Sequence, residues 1–445
     1  MSIGIGSLSN LTPTYSSPSL KNLSEPASAK APLNEELSLA ETFTKSSDKP
    51  VSLIIQSNDQ EKLASLKAQL LKSDQSNQVT ADLPIINGFS IDVSAQDNEA
   101  LQSLTQAQQS GAFAVSLDQN SDFTSNDLFE LQNTFSPIHK ETNVMLGVEK
   151  LHEQGIKGKG TCICVIDSGI AMHPDLKDRV VAFKDCVNGR QEPYDDNGHG
   201  THVAGICAGD GRSSDGKTVG VAPEANIVGV KVLDQFGNGT TSQIIKGIQW
   251  AIANKNKYNI DVINMSLGRP IPRTRFLDPM TIAVQVAEKC GITVVVSAGN
   301  DGPGASTICS PGNAPNAITV GAFDDYGTPE TDDDWPAYFS SQGPTRFDNL
   351  EKPDISAPGV DIISCSNEND GYVQMSGTSM AAPFTAGVAA LMKGVNPKLR
   401  PKDIKSILMS QAAPFQQSDL SRNIVGAGAI TPQESLAQAA DFKRK

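Results

Sequence analysis

Three residue types used by hydrolytic enzymes stand in local contexts that suit them. Val165-Ile166-Asp167-Ser168-Gly169 ends an apolar run in an Asp, followed by a glycine-containing turn. A carboxylate there sits at the C-terminal edge of a buried strand. Alone it could equally be a turn or helix-capping Asp. Asp196-Asn197-Gly198-His199-Gly200-Thr201-His202-Val203-Ala204-Gly205 brackets His199 between glycines and follows it with small residues. That suits an imidazole at the start of a tightly packed helix, where a neutral His acts as general base once an Asp fixes its tautomer. His202, one turn on, reads instead as a packed, hydrogen-bonded histidine.

Ser376-Gly377-Thr378-Ser379-Met380-Ala381-Ala382-Pro383 places a Ser before small residues and a Pro. Pro383 fits the first turn of a helix, where no backbone donor is lost. Ser379 then stands at a helix N-terminus, whose dipole and free N–H groups favour developing negative charge. An ordinary N-cap Ser is the alternative, and Ser376 lies too far from the helix start to compete as nucleophile. Val295-Val296-Ser297-Ala298-Gly299-Asn300-Asp301-Gly302 ends a strand in Gly and Asn. The Asn300 amide is placed to donate to an oxyanion, although a turn Asn would read the same in isolation. Each segment is weak evidence by itself. Together, in this order, they form a highly specific pattern, one whose residue types suit an activated serine.

The elements that position them alternate. Short apolar runs at residues 160–166, 227–232, 262–265, 292–297 and 317–320 suit buried parallel strands. Helical patterns lie between them, such as residues 241–254 and 279–290. The expected fold of residues 142–445 is therefore α/β: a doubly wound, mostly parallel sheet, with sites at the C-terminal strand ends. Before it, residues 50–120 read β-α-β-β-α-β, a small ferredoxin-like α+β unit with a turn at Asn87-Gly88. Residues 121–141 read as a polar linker and residues 1–49, rich in Ser and Pro, as a disordered extension.

The formal net charge is −14, with −9 in residues 1–139 alone. That argues against nucleic acid as partner, because phosphate binding needs clustered Lys and Arg. No run of about 18 apolar residues exists, so no membrane span is expected. Seven cysteines, an odd number without zinc-ligand spacing, read as free thiols. The N-terminus lacks the early charge and apolar core of a Sec signal. These features point to the cytoplasm, or to export by an unconventional route.

The segments CVIDSGI, DDNGHGTHVAG and SGTSMAAP resemble the three active-site signatures of the subtilase family, peptidase S8. VVVSAGNDG resembles its oxyanion-hole strand, INMSLG its substrate-binding strand, and VGVAPEANIVGVKVLD a further family stretch. Asp, then His, then Ser is the subtilisin order of triad residues. The resemblance covers about residues 137–440, and is similar in kind to the AprX-like group. It implies a serine endopeptidase in which Ser379 attacks the scissile carbonyl, His199 moves the proton and Asp167 orients the imidazole. It implies an oxyanion hole from Asn300 and the Ser379 N–H. Ser266, Leu267 and Gly268 would pair with substrate backbone, and Ala298 and Gly299 would line the S1 pocket, with Asp301 at its rim. Cys309 stands where the family often has Gly at the back of S1. No cofactor is required, and protein or peptide substrates are the partners.

The resemblance also implies that residues 50–120 are an inhibitor-I9-like propeptide, an intramolecular inhibitor whose tail enters the substrate groove, with self-cleavage between about residues 118 and 137. Residues 208–218 lie where several relatives hold structural calcium, and Asp210 and Asp215 could offer oxygens. Calcium needs six to eight, and a solvated Gly/Asp loop fits this stretch better. Two rival functions are a non-peptidase hydrolase and a binding protein that is dead or permanently shut. The first lacks the G-x-S-x-G elbow of esterases, since Ser379 sits in G-T-S-M-A. The second must explain four intact catalytic positions.

Overall fold

The computed structural model describes residues 39–46, 49–118, 120–122, 128–130, 146–327, 333–416 and 420–443. Val51–Gln56 (β1), Gln78–Leu83 (β2), Gly88–Val93 (β3) and Ala114–Leu117 (β4) form an antiparallel sheet in the order β2-β3-β1-β4. Asn87, between β2 and β3, takes the left-handed conformation the turn requires (φ 53°). Helices Gln60–Ser73 and Asn98–Gln109 start at Asp59 and Asp97, whose carboxylates accept the N–H of Lys62 and Ala100. They pack Leu63, Leu66, Leu70 and Leu104 onto Leu53, Ile55, Phe89 and Ile91.

Alternation along β1 sends Ile54 to the opposite face. There it joins Ala81, Leu83 and Ile86 in a second core, shared with helices Thr241–Tyr258 and Pro279–Lys289. The run VSLIIQ is apolar on both faces because both are covered. Leu39–Lys45, read from composition as part of a disordered extension, is a helix with Phe43 buried in the first core. Residues 1–38 lie outside the described residues.

The larger sheet is built from Cys162–Asp167 (β7), Val180–Asp185 (β8), Asn226–Lys231 (β9), Val262–Met265 (β11), Thr293–Ser297 (β13), Ile318–Asp324 (β15), Trp335–Pro336 (β16) and Ile355–Pro358 (β17). Its order is β16-β15-β13-β11-β7-β9-β8, with β17 also on β15. Every pairing is parallel except β15 with β16. The expected apolar runs are these strands. Asp167 falls on the last residue of the central β7, and Ser297, just before the Ala298-Gly299-Asn300 corner, ends β13. Both lie at the C-terminal edge, where open parallel sheets place their sites.

Two further findings depart from the composition. Within the stretch read as linker, Asn120–Asp122 (β5) pairs antiparallel with Asn238–Thr240 (β10), and Leu128–Glu130 (β6) pairs antiparallel with Tyr372–Ser376 (β19). The rest of that stretch lies outside the described residues. Three-residue strands carry no readable alternation; they form because an open edge templates them. The acidic run that ends in Asp333 and Asp334 would by composition be a solvated loop, yet Asp334 is buried.

Candidate active site

Asp167 and His199 meet in a dry setting. His199 Nδ1 lies 2.7 Å from Asp167 Oδ1, and both side chains are fully buried. The Ser168 backbone N–H also donates to Asp167 Oδ1 at 2.7 Å. A carboxylate buried away from water needs donors facing it, and here two groups face Oδ1. His199 opens the helix His199–Ala208, whose N-cap Gly198 is left-handed (φ 105°). A Cβ on Gly200 would stand 2.2 Å from the Gly169 carbonyl oxygen, so only glycine lets the helix approach β7 this closely.

Asp195 holds that helix start in place. Its Oδ1 accepts from Ser168 Oγ (2.9 Å) and the Gly198 N–H (2.9 Å); its Oδ2 accepts from the Thr201 N–H (2.9 Å) and Oγ1 (2.7 Å). Ser168 Oγ in turn accepts from the Gly200 N–H. Lys231, fully buried, pairs with Asp196 at 2.6 Å and donates to the carbonyls of Ser168 and Leu233. Sequence reasoning passed over Asp195 and Lys231. The acidic pair directly before the glycine-flanked His was the available signal.

Ser379 is the second residue of helix Thr378–Val395, N-capped by Gly377. Pro383 is not in the first turn, as its type suggested, but inside the helix. Proline has no N–H to give to the carbonyl four residues back, which is Ser379 O. Ser266 Oγ makes that bond instead, at 2.8 Å, and itself accepts from Asn264 Nδ2 at 3.0 Å. Ser379 Oγ lies 3.5 Å from Ser266 O. The strand end carrying residues 266–268 is thus tied to the serine turn at both backbone and side chain.

Asn300 is oriented by Thr378, whose N–H and Oγ1 both donate to Asn300 Oδ1 at 2.9 Å. The amide's N–H donors are therefore at its other end. Thr378, unremarked in the sequence, also accepts from the Gly299 N–H at 3.2 Å. Cys309 lies between Gly299, expected to line S1, and Gly268, expected to pair with substrate backbone. A Cβ on Gly299 would meet its Sγ at 2.6 Å, and one on Gly268 would meet its Cβ at 2.9 Å. Ala298 is buried with Ile271 and Ile308 beside it, and Leu267 is buried under the edge. Burial, then the Asp301 carboxylate 3.6 Å away, pushes the Cys309 thiol well up, so it stays neutral.

The structure thus holds a serine at a helix N-terminus tied to Ser266, a carboxylate-fixed imidazole and an oriented amide. These are the parts of acyl transfer. The subtilase family profile matches residues 158–428. The chain belongs to the subtilase family. It is 47% identical over 302 residues to the serine protease AprX of Bacillus subtilis, covering 64% of this chain and 67% of that one. It is 37% identical over 287 residues to a thermostable alkaline protease of Halalkalibacterium halodurans, covering 64% and 72%. It superposes on fervidolysin of Fervidobacterium pennivorans with TM-score 0.67 at 24% identity, over 88% of this chain and 61% of that one, a likeness of fold. This subtilase is a serine endopeptidase acting on proteins, and the family's chemistry needs no cofactor.

Two polar clusters do not fit a metal. Both oxygens of Asp210 face the Arg212 guanidinium, at 2.6–3.1 Å, and Asp215 is a left-handed turn residue. A calcium ion would have to displace a paired cation. His173, Asp175 and Cys365 converge, but His173 Nδ1 accepts the Asp175 N–H and its Nε2 bonds Gly371 O. The Asp175 carboxylate takes the Ser213 N–H and the Tyr372 hydroxyl. Among the described residues no helix is long and apolar enough to cross a membrane.

His202 is the packed histidine its position suggested. Its Nε2 lies 3.1 Å from Ile362 O and 3.0 Å from Val373 O. Burial, with His199 nearby, pushes its pKa from 6.5 down to about 3. The unfolded chain takes up this proton as pH falls below 6.5 and the folded chain refuses it, so the stabilisation is complete above 6.5 and is lost toward 3. His202→Gln keeps a donor without the titration. Its unfolding midpoint should fall less steeply than the wild type's across that window in pH-dependent urea titrations. Equal slopes would count against this assignment.

Proposed function

We propose that Asp167, His199 and Ser379 are the catalytic triad of this endopeptidase and that the chain is made as a self-inhibited, self-processing precursor. The observation that carries the triad is the buried 2.7 Å Asp167–His199 contact. Ser379 Oγ attacks the scissile carbonyl and His199 takes its proton. Asp167 holds the imidazole in one tautomer and stabilises the imidazolium. The oxyanion forms against Asn300 Nδ2 and the Ser379 N–H. His199 returns the proton to the leaving amine, and water then hydrolyses the acyl-enzyme.

Precursor inhibition is supported by where the chain runs before its catalytic unit. The four-stranded unit docks through the second core, and polar contacts add to it. Asp118 accepts the Ser242 N–H at 2.9 Å at the start of helix Thr241–Tyr258, and the Ser90 hydroxyl at 2.6 Å. Lys246 Nζ reaches Thr80 O and Arg273 Nη1 reaches Val115 O. β5 then adds to β10, and β6 adds to β19, which ends three residues before Ser379. Six residue steps from Asp122 to Leu128 span at most about 22 Å. We therefore place the self-cleaved bond between Asp122 and Leu128, inside the broader interval expected from sequence. All seven cysteines are unpaired, which supports a reducing compartment.

Wild type should shed an N-terminal piece ending between Asp122 and Leu128 and digest casein, while Ser379→Ala, purified free of other proteases, stays full-length and inert. Intact mass reads both, and a processed Ser379→Ala would contradict self-cleavage. Cys309→Gly removes the thiol between Gly268 and Gly299. It should raise kcat/KM for Phe or Tyr over Ala at P1 by about tenfold, on the order of one or two methylenes' worth of pocket. An unchanged ratio in a peptide anilide series would place Cys309 outside S1.

A further inference from the structure

We propose that Leu128–Glu130 is a second, built-in inhibitor, which stays on the leaving-group side of the groove after the processing bond is cut. This rests on the processing reading above. The three residues pair antiparallel with β19: Leu128 opposite Ser376, Phe129 opposite Met375 and Glu130 opposite Gln374. The other edge of β19 is already taken by Ile362–Cys365 (β18). The remaining edge of β19, a strand that ends three residues before Ser379, is therefore filled by the chain itself. Substrate residues beyond the scissile bond, seeking backbone partners on that edge, must displace this strand.

Cleavage treats the two flanking strands differently. β5 and the four-stranded unit become a separate molecule, and dilution removes them. β6 lies on the other side of the cut and stays joined to the catalytic unit through residues 131–145. A strand joined covalently to the unit it competes on cannot be removed by dilution. Release is then a two-step process: the unit leaves first, and a strand that cannot diffuse away still competes with one half of each substrate. The processed enzyme should consequently discriminate by substrate shape. Peptides with residues on both sides of the scissile bond meet the competitor, and peptides ending in a small leaving group do not.

The test uses the full chain, wild type and Phe129→Pro. Proline offers no N–H to a ladder and breaks the added strand. After processing is verified by intact mass, kcat/KM is measured on two substrates with the same residues before the scissile bond. One is a peptide anilide; the other is an internally quenched peptide with eight further residues after the bond. Phe129→Pro should raise kcat/KM on the quenched peptide about tenfold and leave the anilide within about twofold. No change on the quenched peptide, or an equal rise on both, overturns the inference. Should Phe129→Pro fail to fold or process, hydrogen exchange on unprocessed Ser379→Ala supplies the second reading. Protected amides should be found within residues 128–130 themselves, and fast exchange of all three overturns the strand's docking. A wild type that never cuts itself contradicts the processing reading instead, which intact mass distinguishes.

Discussion

The buried contact between Asp167 and His199 is the constraint around which the catalytic unit is arranged. A carboxylate and an imidazole sealed from water at 2.7 Å are costly unless each is met by fixed donors and acceptors. The central strand supplies one partner and the first residue of a helix supplies the other. Holding them together takes Ser168, Asp195 and Thr201 in one hydrogen-bonded cluster, and a glycine at position 200 to let the backbones touch. The surrounding core, from β7 and β11 to the helix carrying Ser379, is apolar and closely packed. The polar cluster is thus rigid because nothing around it can rearrange to solvate it.

A second tie runs through Pro383. It deprives Ser379 O of its helical partner, and Ser266 Oγ fills the gap. The Ser379 turn and the edge expected to hold substrate are therefore registered to one another by a bond that an unbroken helix would have made unnecessary. Thr378 does the same between that turn and Asn300. Three strand-to-loop corners that are far apart in the chain are cross-linked by short polar side chains, each worth little alone and together fixing the site's geometry.

Much of this was legible in the residues. The apolar runs marked the central strands, and the glycine-flanked His and the small-residue stretch after Ser379 marked two helix starts. What could not be seen was whatever depends on a partner distant in sequence. Asp195 looks like an ordinary loop acid until Ser168 and Thr201 surround it. Pro383 reads as a first-turn proline because its compensation comes from Ser266. β5 and β6 have no pattern of their own, since their hydrogen bonds are dictated by the open edges of β10 and β19. Phe43 was hidden in a Ser- and Lys-rich neighbourhood, although it completes the first core. The same edge-templating underlies the proposal that one chain is both enzyme and first occupant of its own groove: β-addition asks only for extended backbone, which a covalently attached segment supplies at high local concentration.

The most direct measurement on the central claim is the site of covalent capture by an aryl sulfonyl fluoride in the processed enzyme, read by peptide mass mapping. The triad account predicts a single adduct on Ser379, matched by loss of activity, and no adduct when His199 is replaced by alanine. An adduct on Ser376 or elsewhere, or full activity after Ser379 has been modified, would contradict it.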